Sequence, residues 1–311
     1  MNDAALVLTI AAAVAAAVPI ALAGLGELLA ERSGVLNLGI EGMMLVGAVV
    51  AFLVGDGTGN LWLALVLGMV AAGGLGLVHA FLCVTLRANQ IVSGLSLVIF
   101  GTGLSTFVGK AIEGRPLATD LRAIRFGALA DIPVIGPVLF DQDPIVYATV
   151  ALTAVIAFYL DRTRPGLALR AVGESPATAD STGIDVVRIR YLHVVAGGAL
   201  AGAGGAYLVL ALVPSWSQDG TTSGLGWIAL ALVVFASWNP WRLLFGALLF
   251  GLARRANFFL QDAGVDVPAE ILSMLPYLLT IVVLVVWGTR DLRRRVGAPG
   301  ALGVAFVRDE R

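Results

Sequence analysis

Long stretches without a charged residue recur along almost the whole of this 311-residue chain. A helix that crosses the hydrocarbon core of a bilayer needs about 20 mainly apolar residues. The stretches have helical lengths, and the alternation typical of membrane barrels is absent. The sequence therefore predicts an all-α integral membrane protein, a polytopic bundle of about nine transmembrane helices. The candidate spans are 4–29, 37–54, 61–86, 91–109, 144–160, 191–213, 224–238, 241–260 and 270–288.

The charge content points the same way. Of all residues, 59% are hydrophobic and 13% are charged, whereas a soluble globular chain carries about 25% charged residues. A formal net charge of -1 provides no basic surface for a nucleic acid, so that class of partner is excluded. Membrane lipid is the expected surrounding. Nothing divides the chain into parts, so 1–311 is expected to form a single transmembrane domain.

Basic residues indicate how the chain is oriented. Arginines cluster in the linker 161–190 and in the tail 289–311, and cytoplasmic loops are the ones that concentrate Arg and Lys. If both segments are cytoplasmic, an even number of spans lies between them. The N-terminus and the loop 110–143 are then outside, and the C-terminus is cytoplasmic. Arg254 and Arg255 are the main exception to this rule.

The even number of spans requires a break in the apolar stretch 224–260. Trp238, Asn239, Pro240 and Trp241 interrupt this stretch. Proline lacks a backbone donor, and the residue before it avoids the α conformation. Two helices joined by a turn are therefore expected here, rather than one kinked helix.

The linker itself predicts a short helix. Ser175 suits the N-cap position and Pro176 the first helical position. Gly183 follows at a position where glycine commonly ends a helix. A helix over 176–182 is therefore expected between two spans, on the cytoplasmic side. It could dock into a partner and carry force to the bundle, or it could belong to an ordinary amphipathic surface loop.

The linker also carries the first part of a family resemblance. The run GLALRAVGESPATADSTGI, at 166–184, is similar to the coupling loop of ABC importer permeases for branched-chain amino acids, simple sugars and nucleosides. Five further segments resemble one subgroup of that branch. This subgroup is the shorter permease of nucleoside importers that depend on a lipoprotein of the basic membrane protein type. The segments are GELLAERSGVLNLGIEGMMLVGA (26–48), NQIVSGLSL (89–97), IPVIGPVLF (132–140), GWIALALVVFASWNP (226–240) and LSMLPYLLTIVVLVV (272–286).

The resemblance implies a transport complex rather than an enzyme. The chain would be its transmembrane permease domain in a bacterial plasma membrane. Its partners would be a second permease subunit in a heterodimer, a cytoplasmic ABC ATPase and an extracytoplasmic substrate-binding lipoprotein. The chain has no GxxxxGK[ST] phosphate loop, so the ATPase would use the ATP and this chain would bind no cofactor. The linker residues expected to contact the ATPase are Arg170, Gly173, Glu174, Ser175, Pro176, Ala179, Asp180 and Gly183.

Polar residues within the spans are candidates for a substrate path, because such groups are costly in lipid. Asn89, Gln90, Ser93 and Ser96 recur at spacings of three or four residues, which places them on one face of the fourth span. Their amide and hydroxyl groups could bond the ribose or the base of a nucleoside. The alternative is that they bond neighbouring helices.

A second polar group surrounds the connection between the first two spans. It consists of Glu27, Glu31, Arg32, Asn37 and Glu41. If this region is a gate, Asn37 and Glu41 are candidates for the substrate path. A clamp in which Arg32 pairs with a carboxylate to fix two helices is the alternative.

No metal site is expected. His79 and His193 lie in separate spans and have no Cys or His partner at ligand spacing. Cys83 stands alone in an apolar run. The expected role of both histidines is hydrogen bonding between helices.

The expected function is ATP-driven import of nucleosides by alternating access. Simple sugars and branched-chain amino acids stay open as substrates, because a family branch does not fix the ligand. An ion-coupled secondary transporter is the alternative from another class. It calls for an ionisable group in mid-span or an internal repeat, and neither is seen in the sequence. The loop 110–143 would receive the binding lipoprotein or form a lid on the bundle.

Overall fold

Helices make up nearly all of the regular structure. The computed structural model describes residues 3–119, 121–217, 220–262, 274 and 297–307. Two short strands, β1 (Ile124–Arg125) and β2 (Asp141–Gln142), pair in antiparallel fashion. The α-helices are α1 (Asp3–Arg32), α2 (Ile40–Thr58), α3 (Leu61–Ala80), α4 (Gln90–Gly109), α5 (Ile135–Leu139), α6 (Pro144–Arg162), α7 (Arg164–Glu174), α8 (Pro176–Ser181), α9 (Val186–Tyr207), α10 (Leu225–Phe235) and α11 (Pro240–Asp262).

Six described segments are long and apolar enough to cross a membrane, which confirms the expected multi-pass helical architecture. They correspond to the first six spans expected from the sequence. Of the other three, 224–238 holds a helix of only 11 residues, 241–260 lies within α11, and 270–288 lies outside the described residues apart from Met274. The six segments are Leu6–Arg32, Ile40–Thr58, Leu61–Thr85, Gln90–Ile112, Pro144–Arg162 and Val186–Leu212.

α9 lies at the centre of the bundle and packs against α1, α2 and α3. Its contact face consists of small residues. Gly197 lies against the backbone of Gly26 in α1, and Gly205 lies against the backbone of Met44 in α2. In a bilayer, apolar burial between helices gains little, so close contact through small residues is what holds such helices together.

The bundle has two ends, which we name after their loops. The linker end carries the linker 161–190, and residues 297–307 of the tail hydrogen-bond to it there. The loop end carries the loop 110–143, which is folded against residues 210–216: the amide of Leu117 donates to the carbonyl of Pro214 at 2.8 Å. The loop is therefore a packed layer on the bundle.

The seventh apolar segment is only half a span. At the loop end, Ser215 and Trp216 form isolated β-bridges with the loop 110–143. The chain stays non-helical until α10 begins at Leu225. Eleven helical residues rise about 16 Å, roughly half of the ~30 Å hydrocarbon core. The expectation of a full helical span over 224–238 is therefore wrong.

A sharp turn separates α10 from α11, as the sequence predicted. Ser237 and Trp238 have φ angles of 51° and 53°, a conformation that does not continue a helix. Pro240 then opens α11, and the Asn239 side chain accepts a hydrogen bond from the amide of Arg242 at 3.1 Å. The side-chain cap and the proline together start the new helix at this point.

Candidate functional site

The predicted helix in the linker is present as α8. The hydroxyl of Ser175 accepts a hydrogen bond from the amide of Thr178, Pro176 is the first helical residue, and Gly183 has a φ of 86°. The helix α7, which precedes it, was not predicted. Its start carries the same signal, because Thr163 is its N-cap and a proline, Pro165, lies in its first turn.

The eight linker residues expected to contact the ATPase fall into two groups. Gly173 and Ala179 are buried. A side chain at Gly173 would overlap the carbonyl oxygen of Arg32, and Ala179 packs in a cluster with Val172 and Val186. These two residues hold the linker on the bundle and are not available for a partner. The other six are exposed or half-buried: Arg170, Glu174, Ser175, Pro176, Asp180 and Gly183.

The tail fastens the linker to the connection between α1 and α2. The amide of Ala301 donates to the carbonyl of Gly173 at 2.8 Å, and the amide of Gly303 donates to the carbonyl of Gly34 at 3.2 Å. The buried Arg190 lies at the same junction. We name the segment 297–307 the tail strap. It joins the linker, α9 and the α1–α2 connection into one unit at the linker end.

Replacing Arg190 with Met should loosen the tail strap. The Arg190 Nε donates to the carbonyl of Ser33 and its Nη1 to the carbonyl of Val304, each at 3.2 Å. Methionine keeps much of the volume but donates neither hydrogen bond, so limited proteolysis within 297–307 should become faster. Arg188→Met is the matched control, because Arg188 is exposed two residues away. Equal cleavage rates for the two variants would contradict this role.

The polar group around the α1–α2 connection bonds neighbouring segments to one another. The amide of Asn37 donates to Glu27 Oε1 at 3.0 Å, and Asn37 Oδ1 accepts from the amide of Gly39 at 3.1 Å. Arg32 Nη2 donates to the carbonyl of Trp238 at 3.0 Å. Among the described residues Arg32 forms no ion pair with a carboxylate, so the clamp that was the alternative to a gate is not found in that form.

Glu41 holds the start of α10. Its Oε1 accepts hydrogen bonds from the hydroxyl of Thr222 at 2.5 Å and the amide of Gly224 at 3.1 Å. Its Oε2 accepts from the amide of Gly226 at 2.7 Å. A carboxylate is favourable there, because a helix N-terminus presents free amides and a partial positive charge. Glu41 and Asn37 thus have structural partners in this structure.

The polar residues of α4 lie on adjoining sectors of the helix, but they differ in burial. Gln90 and Ser93 are buried, whereas Asn89 and Ser96 are exposed. Gln90 Oε1 accepts from the amide of Leu36 at 2.7 Å. Asn89 caps α4, and the Ser96 hydroxyl donates to a carbonyl of its own helix. The boundary between the buried and the exposed side of α4 divides the set.

Both histidines bond between structural elements, as predicted. His79 Nε2 donates to the carbonyl of Leu36 at 3.0 Å, which leaves Nδ1 to accept from the Ser93 hydroxyl at 2.9 Å. His193 Nδ1 donates to a carbonyl of its own helix, and Nε2 accepts from the hydroxyl of Tyr159 in α6. Within the described ranges, no three His, Cys, Asp or Glu side chains come together as a metal site would require.

Comparison with known proteins places this architecture in a family. Residues 9–284 match the family described as branched-chain amino acid transport system / permease component. This match covers most of the chain, so the chain belongs to that family, and the resemblance drawn from the sequence is confirmed. The chain is accordingly a non-catalytic, multi-pass membrane subunit of an ABC transport system.

Several relatives are similar over nearly their whole length. The putative glucose ABC transporter permease protein TsgC13 of Haloferax volcanii is 43% identical, over 96% of this chain and 97% of its own. The guanosine ABC transporter permease protein NupQ of Bacillus subtilis is 34% identical, over 95% of each chain. The nucleoside ABC transporter permease protein NupC of Lactococcus lactis is 33% identical, over 94% of each chain. No solved structure matches the chain.

Proposed function

We propose that this chain is the permease of an ABC importer that moves nucleosides by alternating access. The observation that carries the coupling part of the proposal is α8, whose surface is exposed while its base is fastened to the bundle. A helix held in this way can transmit a push without deforming. The cargo is proposed from two relatives named as guanosine and nucleoside permeases, each similar over more than nine tenths of the chain.

The proposed topology has nine crossings, with the N-terminus outside and the linker end in the cytoplasm of a bacterial cell. Three facts support it. The linker 161–190, the tail strap and the connection after Arg32 meet at one end. Arg87 lies at that end too, where it lines the same pocket as Asp180. At the opposite end, the side chain of Gln142 in the loop donates to a carbonyl near the start of α1. The whole chain, 1–311, would act as one permease domain.

Three partners complete the proposed complex. A cytoplasmic ABC ATPase would contact the exposed residues of α8 and its flanks: Arg170, Glu174, Ser175, Pro176, Asp180 and Gly183. A second permease subunit would form the other half of the pathway. A substrate-binding lipoprotein would dock on the loop 110–143, whose packed surface at the loop end gives it a firm base.

The contacts of the linker suggest how ATP would drive the cycle. Closure of the ATPases would displace α8. Because Gly173 lies directly against the backbone of Arg32, the displacement would reach α1. It would reach α9 through the cluster of Ala179 and Val186. The tail strap would make these movements concerted, since it bonds both the linker and the α1–α2 connection.

A simple sugar is the second candidate for the cargo, because the relative that is 43% identical is named as a putative glucose permease. Reconstitution of both permeases, the ATPase and the lipoprotein in vesicles separates the candidates. We expect ATP-dependent uptake of labelled guanosine that excess glucose does not inhibit. If excess glucose inhibited the uptake and excess unlabelled guanosine did not, a simple sugar would replace the nucleoside as the proposed cargo. Uptake driven by an ion gradient without ATP would indicate a secondary transporter instead.

Replacing Ser175 and Pro176 with Gly-Gly should uncouple ATP hydrolysis from uptake. The change removes the side-chain cap of α8 and the residue that fixes its first turn. The expected cost to the helix is a few tenths of a kcal/mol for the cap and about 0.4–1 kcal/mol for the proline. Hydrolysis should continue while nucleoside uptake in the reconstituted vesicles falls. Asn60→Gly is the matched control, because Asn60 caps α3 at the loop end. Normal uptake by the Gly-Gly variant would remove α8 from the coupling path.

A further inference from the structure

A non-helical stretch lies at membrane depth beside α11. Residues 213–217 and 220–224 lead from the loop end to the start of α10, which Glu41 of α2 holds in mid-bundle. Backbone that is not helical is tolerated at this depth only where protein encloses it or where it lines a water-filled cavity. Part of this stretch does line a cavity.

The cavity has a volume of about 300 Å³, at the lower limit for sites that hold a small molecule. Its lining combines two kinds of residue. One is apolar and includes Leu208 and Leu212, at the end of the helical segment that continues α9. The other is polar and includes Ser217, Thr221, Arg254 and Arg255. A ring with an apolar face and a polar edge matches this mixed lining.

The two arginines lie in the part of α11 nearest the loop end. Gly251, one turn before Arg255, packs on Ala13 and Ala17 of α1, and the carbonyl of Ala11 accepts from the side chain of Gln142 in the loop. Arg254 comes 14 residues after Pro240, where α11 begins, which places it about 21 Å along the helix. The hydrocarbon core is roughly 30 Å thick. Arginines within an apolar membrane helix are rare, and they commonly face a partner group or a water-filled cavity. Both of these arginines line the cavity.

We propose that this cavity is the substrate site of the permease, and that it takes a nucleoside whose base presents two neighbouring acceptor atoms. The proposal rests on the proposed function. Arginine donates two parallel hydrogen bonds and pairs in this way with O6 and N7 of guanine. Adenine offers one acceptor and one donor at the same positions, so guanosine should bind better than adenosine. Leu208 and Leu212 would contact the face of the base.

Cysteine labelling in the reconstituted transporter tests the location. The chain has one cysteine, Cys83, which is 1% exposed and lies in the helical segment after α3. In a Cys83→Ala background, Ser217→Cys should react with a water-soluble methanethiosulfonate, and guanosine should slow that reaction. If Ser217→Cys does not fold, Ser215→Cys, which lines the same cavity, replaces it in the labelling experiment. Ser96→Cys on α4 is the matched control and should not be protected.

Substitutions of Arg254 test how the site recognises the base. Arg254→Gln should raise the KM for guanosine uptake about tenfold or more, the loss expected when a charged hydrogen bond is removed. Arg254→Lys should keep the charge but lose the preference for guanosine over adenosine, because lysine lacks the planar pair of donors. Arg255 is not substituted in these variants, because it interacts electrostatically with the buried Tyr207.

The outcomes separate the two proposals. If wild-type vesicles take up guanosine with ATP but guanosine protects neither Ser217→Cys nor Ser215→Cys, the cavity is not the site and the proposed function stands. If guanosine protects Ser96→Cys instead, the substrate path runs along α4 and the cavity is again overturned. If only glucose protects Ser217→Cys, the site stands and the nucleoside is wrong. If wild-type vesicles take up neither guanosine nor glucose with ATP, the proposed function itself fails.

Discussion

Gly205→Ala is expected to prevent accumulation of the folded permease. A methyl group at this position would overlap the carbonyl oxygen of Met44, and the neighbouring atoms are also backbone. Backbone cannot turn aside as a flexible side chain does, so α9 and α2 would have to separate. Forcing an extra methyl group into a packed interior costs about 1–3 kcal/mol and sometimes more. The upper part of that range applies here, because α9 is the helix on which α1, α2 and α3 all pack.

The measurement is the yield of monodisperse protein after detergent extraction, together with its midpoint of thermal unfolding. Gly74→Ala in α3 is the matched control, since no atom lies within 4 Å of the position its new methyl group would take. Alanine is the better helix former by roughly 1 kcal/mol, so the control should be neutral or slightly more stable. Similar yields for the two variants would contradict the close packing of α9 on α2.

Glu41→Ala is expected to abolish uptake and to lower thermal stability by an amount second only to Gly205→Ala. The change leaves the amides of Gly224 and Gly226 and the hydroxyl of Thr222 without their acceptor. Each buried group left unpaired costs about 1–3 kcal/mol. The start of α10 should then fray, and the chain that leads into it should lose its fixed position beside α2.

Two variants make the Glu41 experiment specific. Glu41→Gln keeps one carbonyl oxygen as an acceptor, so its loss of stability should fall between that of wild type and that of Glu41→Ala. Glu113→Ala removes an exposed glutamate at the loop end and should change little. Unfolding midpoints and ATP-dependent uptake would be measured for all three. An unfolding midpoint of Glu41→Ala equal to that of wild type would show that the carboxylate does not hold α10.

The sequence was sufficient for the long helices, because each is an uninterrupted apolar run. It was not sufficient for α10. Hydropathy records that 224–238 is apolar, but it does not record whether the segment is helical throughout. The helix starts where Glu41 accepts the free amides of its first turn, and Glu41 lies 183 residues earlier in the chain than Gly224. A local pattern cannot reveal a partner at that distance.

The polar residues of α4 show a different limit. Successive residues turn by about 100° around a helix, so Asn89, Gln90, Ser93 and Ser96 do occupy adjoining sectors. Which sectors are buried depends on where α2 packs, and a single helix does not encode that. By contrast, the start of α8 was predictable from Ser175 and Pro176, because a cap acts through neighbouring residues. Thr163 carries the same information for α7.

The tail strap has a consequence for biosynthesis. Ala301 and Gly303 are made after all of the described helices, yet their amides complete the junction between Gly173 and Gly34. A nascent chain can therefore insert the described helices while that junction is still open, and the junction closes only once Ala301 and Gly303 have left the ribosome. A permease truncated before this segment would reach the membrane but would transmit little force. Synthesis of the tail strap would thus determine when the subunit becomes competent for assembly.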